Sequence, residues 1–206
     1  MSGFGEKTLF YFQYLMVRNK RKEFTKMEMH KDIESIMFTK QEIDMMVHNM
    51  AFKINEEFEG EELIAICVLK GSIMFSADLI RCLAMNVKID FMQASSYGSG
   101  TESSGVINIK KDIDSDVSGK NVLIIEDIVD SGRTLSLLKE EMKSRGAKNV
   151  KIAALLSKPA RRVVDVEVEY IGSEIPDEFV VGYGLDMDEK YRQMDYIGIL
   201  KPEVYM

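Results

Sequence analysis

Three short, unbroken apolar runs most constrain what this chain can fold into. LIAICVL (63–69), NVLIIE (121–126) and VKIAALLS (150–157) are rich in β-forming residues and lack polar alternation. Runs of that kind read as strands buried on both faces. Helical segments separate them. Thr39-Lys40-Gln41-Glu42 is a capping box, and Ile43, Met46, Val47, Met50, Ile54 and Phe58 follow at helical spacing until Gly60. Further helices are expected at 73–85 and 133–145, the second stopped by Gly146. Other strands are expected at 87–94 and 106–110, with shorter ones near 166–171, 179–182 and 196–200. Alternating strands and helices specify an α/β fold, a mostly parallel twisted sheet flanked by helices.

The 206 residues suit one domain with a substantial core, and the chain shows no internal repeat or linker. A net charge of −7 argues against a general nucleic-acid or membrane-surface binder. Cys67 and Cys82 have no metal-ligand spacing and read as buried, reduced thiols of a cytoplasmic protein. His30 and His48 suggest neither a triad nor a zinc site, and His48 falls on the polar side of its helix. Residues 1–28 stand apart. TLFYFQYLMV (8–17) precedes the basic RNKRK (18–22), too short to span a bilayer and reversed relative to a secretory signal. The expectation is an extension outside the domain, or a true start at Met27 or Met29, with the domain itself at 29–206.

In parallel sheets ligands bind beyond the carboxyl ends of the strands. Three such ends carry unusual chemistry: Lys70-Gly71-Ser72, Glu126-Asp127, and Lys158. After Glu126-Asp127 comes Asp130-Ser131-Gly132-Arg133-Thr134. There a glycine turn, two hydroxyls and a helix amino end suit one phosphate monoester. The triphosphate pattern GxxxxGK[ST] is absent. Capping of the helix by Asp130 or Ser131 explains the short polar residues. It leaves Glu126 and Asp127 unexplained. Adjacent carboxylates are pure acceptors that suit a ribose diol, and Mg²⁺ is the competing ligand.

VLIIEDIVDSGRTL (122–135) resembles the phosphoribosyl pyrophosphate motif of type I phosphoribosyltransferases. LKGS (69–72), SSYGSGTESSG (95–105), Lys158 and FVVGYGLDMDEKYR (179–192) narrow the resemblance to the bacterial hypoxanthine-guanine branch, from about residue 30 to the C-terminus. That resemblance implies purine salvage in the cytoplasm, with a small hood region, a flexible flap, Mg²⁺, and assembly as a homodimer or homotetramer. It implies that Glu126 and Asp127 hold the ribose hydroxyls while Ser131, Gly132, Arg133 and Thr134 cradle the 5′-phosphate. Asp130 would accept the proton from purine N7, and Lys158 would contact the 6-oxo group. Phe179 would stack on the base, with Val180 at its edge. Lys70, Gly71 and Arg192 would bind pyrophosphate, with a non-proline cis peptide before the lysine. Asp186, with Glu126 and Asp127, would approach the metal, and Ser96-Tyr97 would close over the site as the flap. Two rivals are a non-catalytic sensor of phosphoribosyl pyrophosphate and a transferase for a different base.

Overall fold

The computed structural model describes residues 29–96 and 107–206. The chain begins with β1 (Ile33–Phe38) and α1 (Lys40–Glu57), then β2 (Glu62–Val68), α2 (Ile73–Arg81), β3 (Asn86–Ser96) and β4 (Ile107–Lys111). It continues through β5 (Asn121–Val129), α3 (Arg133–Ser144), β6 (Asn149–Ser157), a 3-10 turn at Pro159–Arg161 and β7 (Tyr170–Glu174). It ends in β8 (Val180–Val181), β9 (Ile197–Leu200) and the short α4 (Pro202–Tyr205).

The expected apolar strands lie at the centre of a six-stranded sheet ordered β4-β3-β2-β5-β6-β7. All its pairs are parallel except β3 with β4. Side chains alternate across it. Leu63, Ala65, Leu123 and Ile125 pack with Ile43, Val47, Met50 and Ile54 of α1 and Phe75 and Leu79 of α2. Ile64, Ile66, Val122 and Ile124 pack on the other side with Leu135, Leu138 and Met142 of α3. Both faces are covered, which is why these strands carry no polar alternation. The capping box forms as expected: Glu42 N–H donates to Thr39 Oγ1, and Thr39 N–H donates to Glu42 Oε2 at 2.8 Å.

A second, antiparallel sheet ordered β1-β9-β8 joins the two ends of the described chain. Ile33, Val181, Tyr191, Tyr196 and Leu200 form its own small core. This is the hood. Three expectations change. β1 was not foreseen; α2 ends at Arg81 rather than near 85; and the strand placed at 166–171 begins at Tyr170. Residues 166–169 are held from outside instead: Lys139 Nζ donates to Glu167 O at 3.1 Å and to Glu169 Oε1 at 2.8 Å.

Candidate active site

The carboxyl ends of β2, β5 and β6 carry the expected site residues, and the hood covers one flank through Val180. β5 does not stop at Glu126 but pairs with β6 to Val129↔Ser157, so Glu126 and Asp127 are strand residues. Successive strand side chains take opposite faces. Accordingly the two carboxylates line different cavities. Glu126 lines one of about 250 Å³ with Ile128, Val129, Asp130, Ser131, Gly132, Thr134 and Leu135. Asp127 lines a second, of about 240 Å³, with Ile128, Asp130, Lys158, Phe179, Val180, Leu185 and Asp186. Ile128 and Asp130 belong to both.

The first cavity is a cradle. Gly132 takes φ +80° as the residue before α3, and a Cβ there would stand 2.5 Å from Val164 O. Only glycine fits that turn. Gly132, at the N-cap position, has no side chain to cap α3. Ser131 Oγ accepts from Arg133 N–H at 3.4 Å, a long form of the capping considered above. The amino end of the helix, with its dipole, borders this cavity through Gly132 and Thr134. Arg133 is half-buried beside it.

The second cavity combines charged side chains with an aromatic ring. Lys158 is 8% exposed, its backbone N–H tied to Val129 O at 2.9 Å. Its ammonium lies 3.6 Å from Asp177, which also meets Arg161 at 3.3 Å. Arg161 in turn reaches Asp130 at 3.2 Å. Phe179 stacks on Tyr205 of α4, with centroids 4.7 Å apart and an interplanar angle of 21°. Val180 is buried at its side, and Leu200 N–H donates to Phe179 O at 2.8 Å.

A third group abuts the second cavity through Asp127 and Asp186. The Leu69–Lys70 peptide is cis. Gly71 lies so close to Asp127 that a Cβ would stand 1.7 Å from Asp127 Oδ2. Gly184 presses on Gly71 from the hood side, where a Cβ would come within 2.0 Å of Gly71 O. Lys70 pairs with Glu189 at 3.0 Å, and Arg192 pairs with Asp186 at 3.0 Å and Glu189 at 3.4 Å. Ser96 ends β3, whereas Tyr97 and the following flap segment lie outside the described residues.

The carboxylates are strongly perturbed. Withdrawal from water, and then the neighbouring Asp127, push Glu126 well above the usual carboxylate range. Its Oε2 is buried with no partner. Asp127 is pushed up to about 6, chiefly by loss of hydration, against the Ile128 N–H and the Arg192 charge. An orphaned buried acceptor beside a second carboxylate awaits a donor or a cation. Among the described residues no three His, Cys, Asp or Glu side chains form a ready-made metal cage. The donors do fit Mg²⁺, which takes one or two carboxylates and completes its shell from water and phosphate oxygens.

A further cavity, about 460 Å³, lies at the opposite, amino ends of β2 and β3. Its charges offset one another, Lys120 pairing with Glu62 at 3.5 Å. Sequence reasoning missed Ile128, Leu185, Asp177, Arg161, Glu189 and Tyr205. Asp177, two residues before Phe179, had the clearest signal in its neighbour.

Residues 35–188 match the model of the phosphoribosyl transferase domain family. The chain is 45% identical over 177 residues to a hypoxanthine-guanine phosphoribosyltransferase of Streptococcus thermophilus, covering 86% of this chain and 98% of that one. It is 46% identical over 177 residues to the enzyme of the same name from Staphylococcus aureus, covering 86% and 99%. Its structure is similar to a hypoxanthine phosphoribosyltransferase from Staphylococcus aureus, with TM-score 0.84 and 44% identity over 88% of this chain and 99% of that one.

Proposed function

The chain belongs to the hypoxanthine-guanine phosphoribosyltransferases of the phosphoribosyl transferase domain family, and from that premise we infer its reaction. It is a purine-salvage transferase that moves the 5-phosphoribosyl group of phosphoribosyl pyrophosphate to hypoxanthine or guanine, giving IMP or GMP and pyrophosphate. The observation that carries this reading is the pair of cavities meeting at Asp130 and Ile128, one ending in a helix-capped cradle and the other in Lys158 and Phe179.

In our reading the 5′-phosphate sits on the N–H groups and hydroxyls of Ser131, Gly132, Arg133 and Thr134. Glu126 and Asp127 accept from the ribose hydroxyls. The orphaned Glu126 Oε2 supports this, since a hydroxyl supplies its missing donor. Their separation onto two faces of β5 divides that task, Glu126 on the phosphate side and Asp127 on the pyrophosphate side. Phe179 and Ile128 sandwich the base, Val180 meets its edge, and Lys158 donates to the 6-oxo oxygen. A 6-amino purine offers the ammonium no acceptor there and is rejected.

Bond exchange at C1′ passes through an oxocarbenium-like ribose. Asp130, at the junction of the cavities, takes the proton released from purine N7 as the new bond forms. Lys70, the Gly71 backbone and Arg192 hold the departing diphosphate. Asp186, with Asp127 and Glu126, would hold Mg²⁺, whose contribution when bound is to offset the leaving group's charge.

We place the protein in the cytoplasm, as a homodimer or homotetramer. No described helix is long and apolar enough to cross a membrane, and both cysteines are free thiols. Incubating the protein with Mg²⁺, phosphoribosyl pyrophosphate and single bases tests the function. Pyrophosphate release with hypoxanthine and guanine but not adenine is expected. Phosphoribosyl pyrophosphate binding with no release would instead support the sensor.

A further inference from the structure

Lys158 presents a physical problem that the transfer reaction alone does not solve. Its side chain is 10% exposed, and an ammonium so withdrawn from water needs a counter-charge. Among the described ion pairs it has one, Asp177, at 3.6 Å. Asp177 lies on the connection between β7 and β8, whose start is pinned by Ile175 N–H donating to Ser157 O at 2.9 Å. Ser157 is the residue before Lys158. Both ends of the pair are thus fixed to the same point of β6, while Phe179 follows two residues later on the same connection. Asp177 also holds Arg161, the guanidinium that reaches Asp130. Asp130, Arg161, Asp177 and Lys158 make one alternating chain of charges along the rim of the base cavity.

We propose that Asp177 is a positioning residue for base recognition, holding the Lys158 ammonium in place and aimed at the 6-oxo oxygen, and so sets the preference for 6-oxopurines over 6-aminopurines. The proposal rests on Lys158 being the contact to that oxygen. Asp177 is exposed and lines neither cavity, so it acts through Lys158. Without its carboxylate the ammonium loses its counter-charge and turns outward to water. The site then loses its donor for the base while the phosphate and pyrophosphate positions, on other strand ends, stay intact.

The test is steady-state kinetics of Asp177→Asn, a change of equal size in an exposed loop, beside wild type and Asp177→Glu. For Asp177→Asn, the KM for hypoxanthine should rise about tenfold, the order expected for loss of a charge-assisted contact. Its KM for phosphoribosyl pyrophosphate and its kcat should stay within about twofold. The ratio of kcat/KM for hypoxanthine over adenine should fall by a similar factor, with Asp177→Glu recovering most of it. An unchanged hypoxanthine KM overturns the proposal. So does an equal rise in both KM values, which marks a merely structural role. Wild-type protein inactive with every 6-oxopurine would instead refute the reaction, so the two failures are distinguishable.

Discussion

Asp130 is the residue on which both cavities close, half-exposed and held by Arg161 at 3.2 Å. In its proposed role of proton acceptor it matters most once the transition state forms. Asp130→Asn should lower kcat by about 10²- to 10⁴-fold and change the Kd of phosphoribosyl pyrophosphate by less than about threefold, measured by single turnover and calorimetry. Equal losses in both would contradict the base role. Gly71 makes a different demand. An added Cβ would stand 1.7 Å from Asp127 Oδ2, and the opposing Gly184 leaves little room for retreat. Gly71→Ala should therefore weaken phosphoribosyl pyrophosphate binding at least tenfold, read by calorimetry, with the melting temperature falling by only a few degrees. At this scale the sequence identified residues by their chemistry but not by their partners. Glu126 and Asp127 look like one unit in sequence, because adjacency does not show that β5 continues past them and turns them apart. Asp177 looked like one more charge in a polar connection until the fold brought Lys158 against it.

The legible elements are those whose burial writes a pattern into them. β2, β5 and β6 are apolar on both faces, and α1 announces its start with a capping box. β1 was invisible because its partner β9 lies at the other end of the chain and its pairing is interrupted by register shifts. β7 was misplaced because residues 166–169 carry alternating apolar and acidic residues that serve the ion pairs around Lys139, not the sheet. The connection after β4 is held by an unforeseen device in β3. Asp90, 5% exposed, accepts backbone N–H bonds from Ser115 at 2.8 Å, Asp114 at 3.0 Å and Phe91 at 2.8 Å. Withdrawal from water is the largest single influence on its carboxyl and acts upward, but the Ser115, Phe91 and Asp114 donors together hold it below the usual range. Because the folded value is lowered, its stabilisation is complete above the unfolded value of about 3.9 and is lost as pH falls through the folded one. Asp90→Asn should cost about 2 kcal/mol at neutral pH in urea denaturation. The difference from wild type should shrink below about pH 4.

For the whole molecule, the alternation of strands and helices gave the parallel sheet and the end at which chemistry occurs, because connectivity fixes both. The hood was legible only through the family resemblance. We propose that the catalytic domain is 29–206 and that residues 1–28 lie outside it. The relatives support this, since the matched 177 residues take up 98% of one enzyme but 86% of this chain. A chain of 29–206 should keep kcat/KM within about twofold and unfold at the same urea midpoint as the full chain. A lower midpoint would make the extension part of the domain.

The hood sets an order on how the molecule comes into being. All six strands of the central sheet, and the cradle after β5, are encoded before residue 175. The stretch around Phe179 is not. Phe179 precedes a sheet in which β8 pairs only with β9, and β1 must wait for that same β9, with Lys201 N–H donating to Asp32 O at 3.0 Å. During synthesis β1 therefore emerges early and stays unpaired until β9 has been made and has left the exit tunnel. A nascent chain can thus assemble the cradle half of its site first, and completes the cavity lined by Phe179 and Val180 only once β9 has joined β8 and β1.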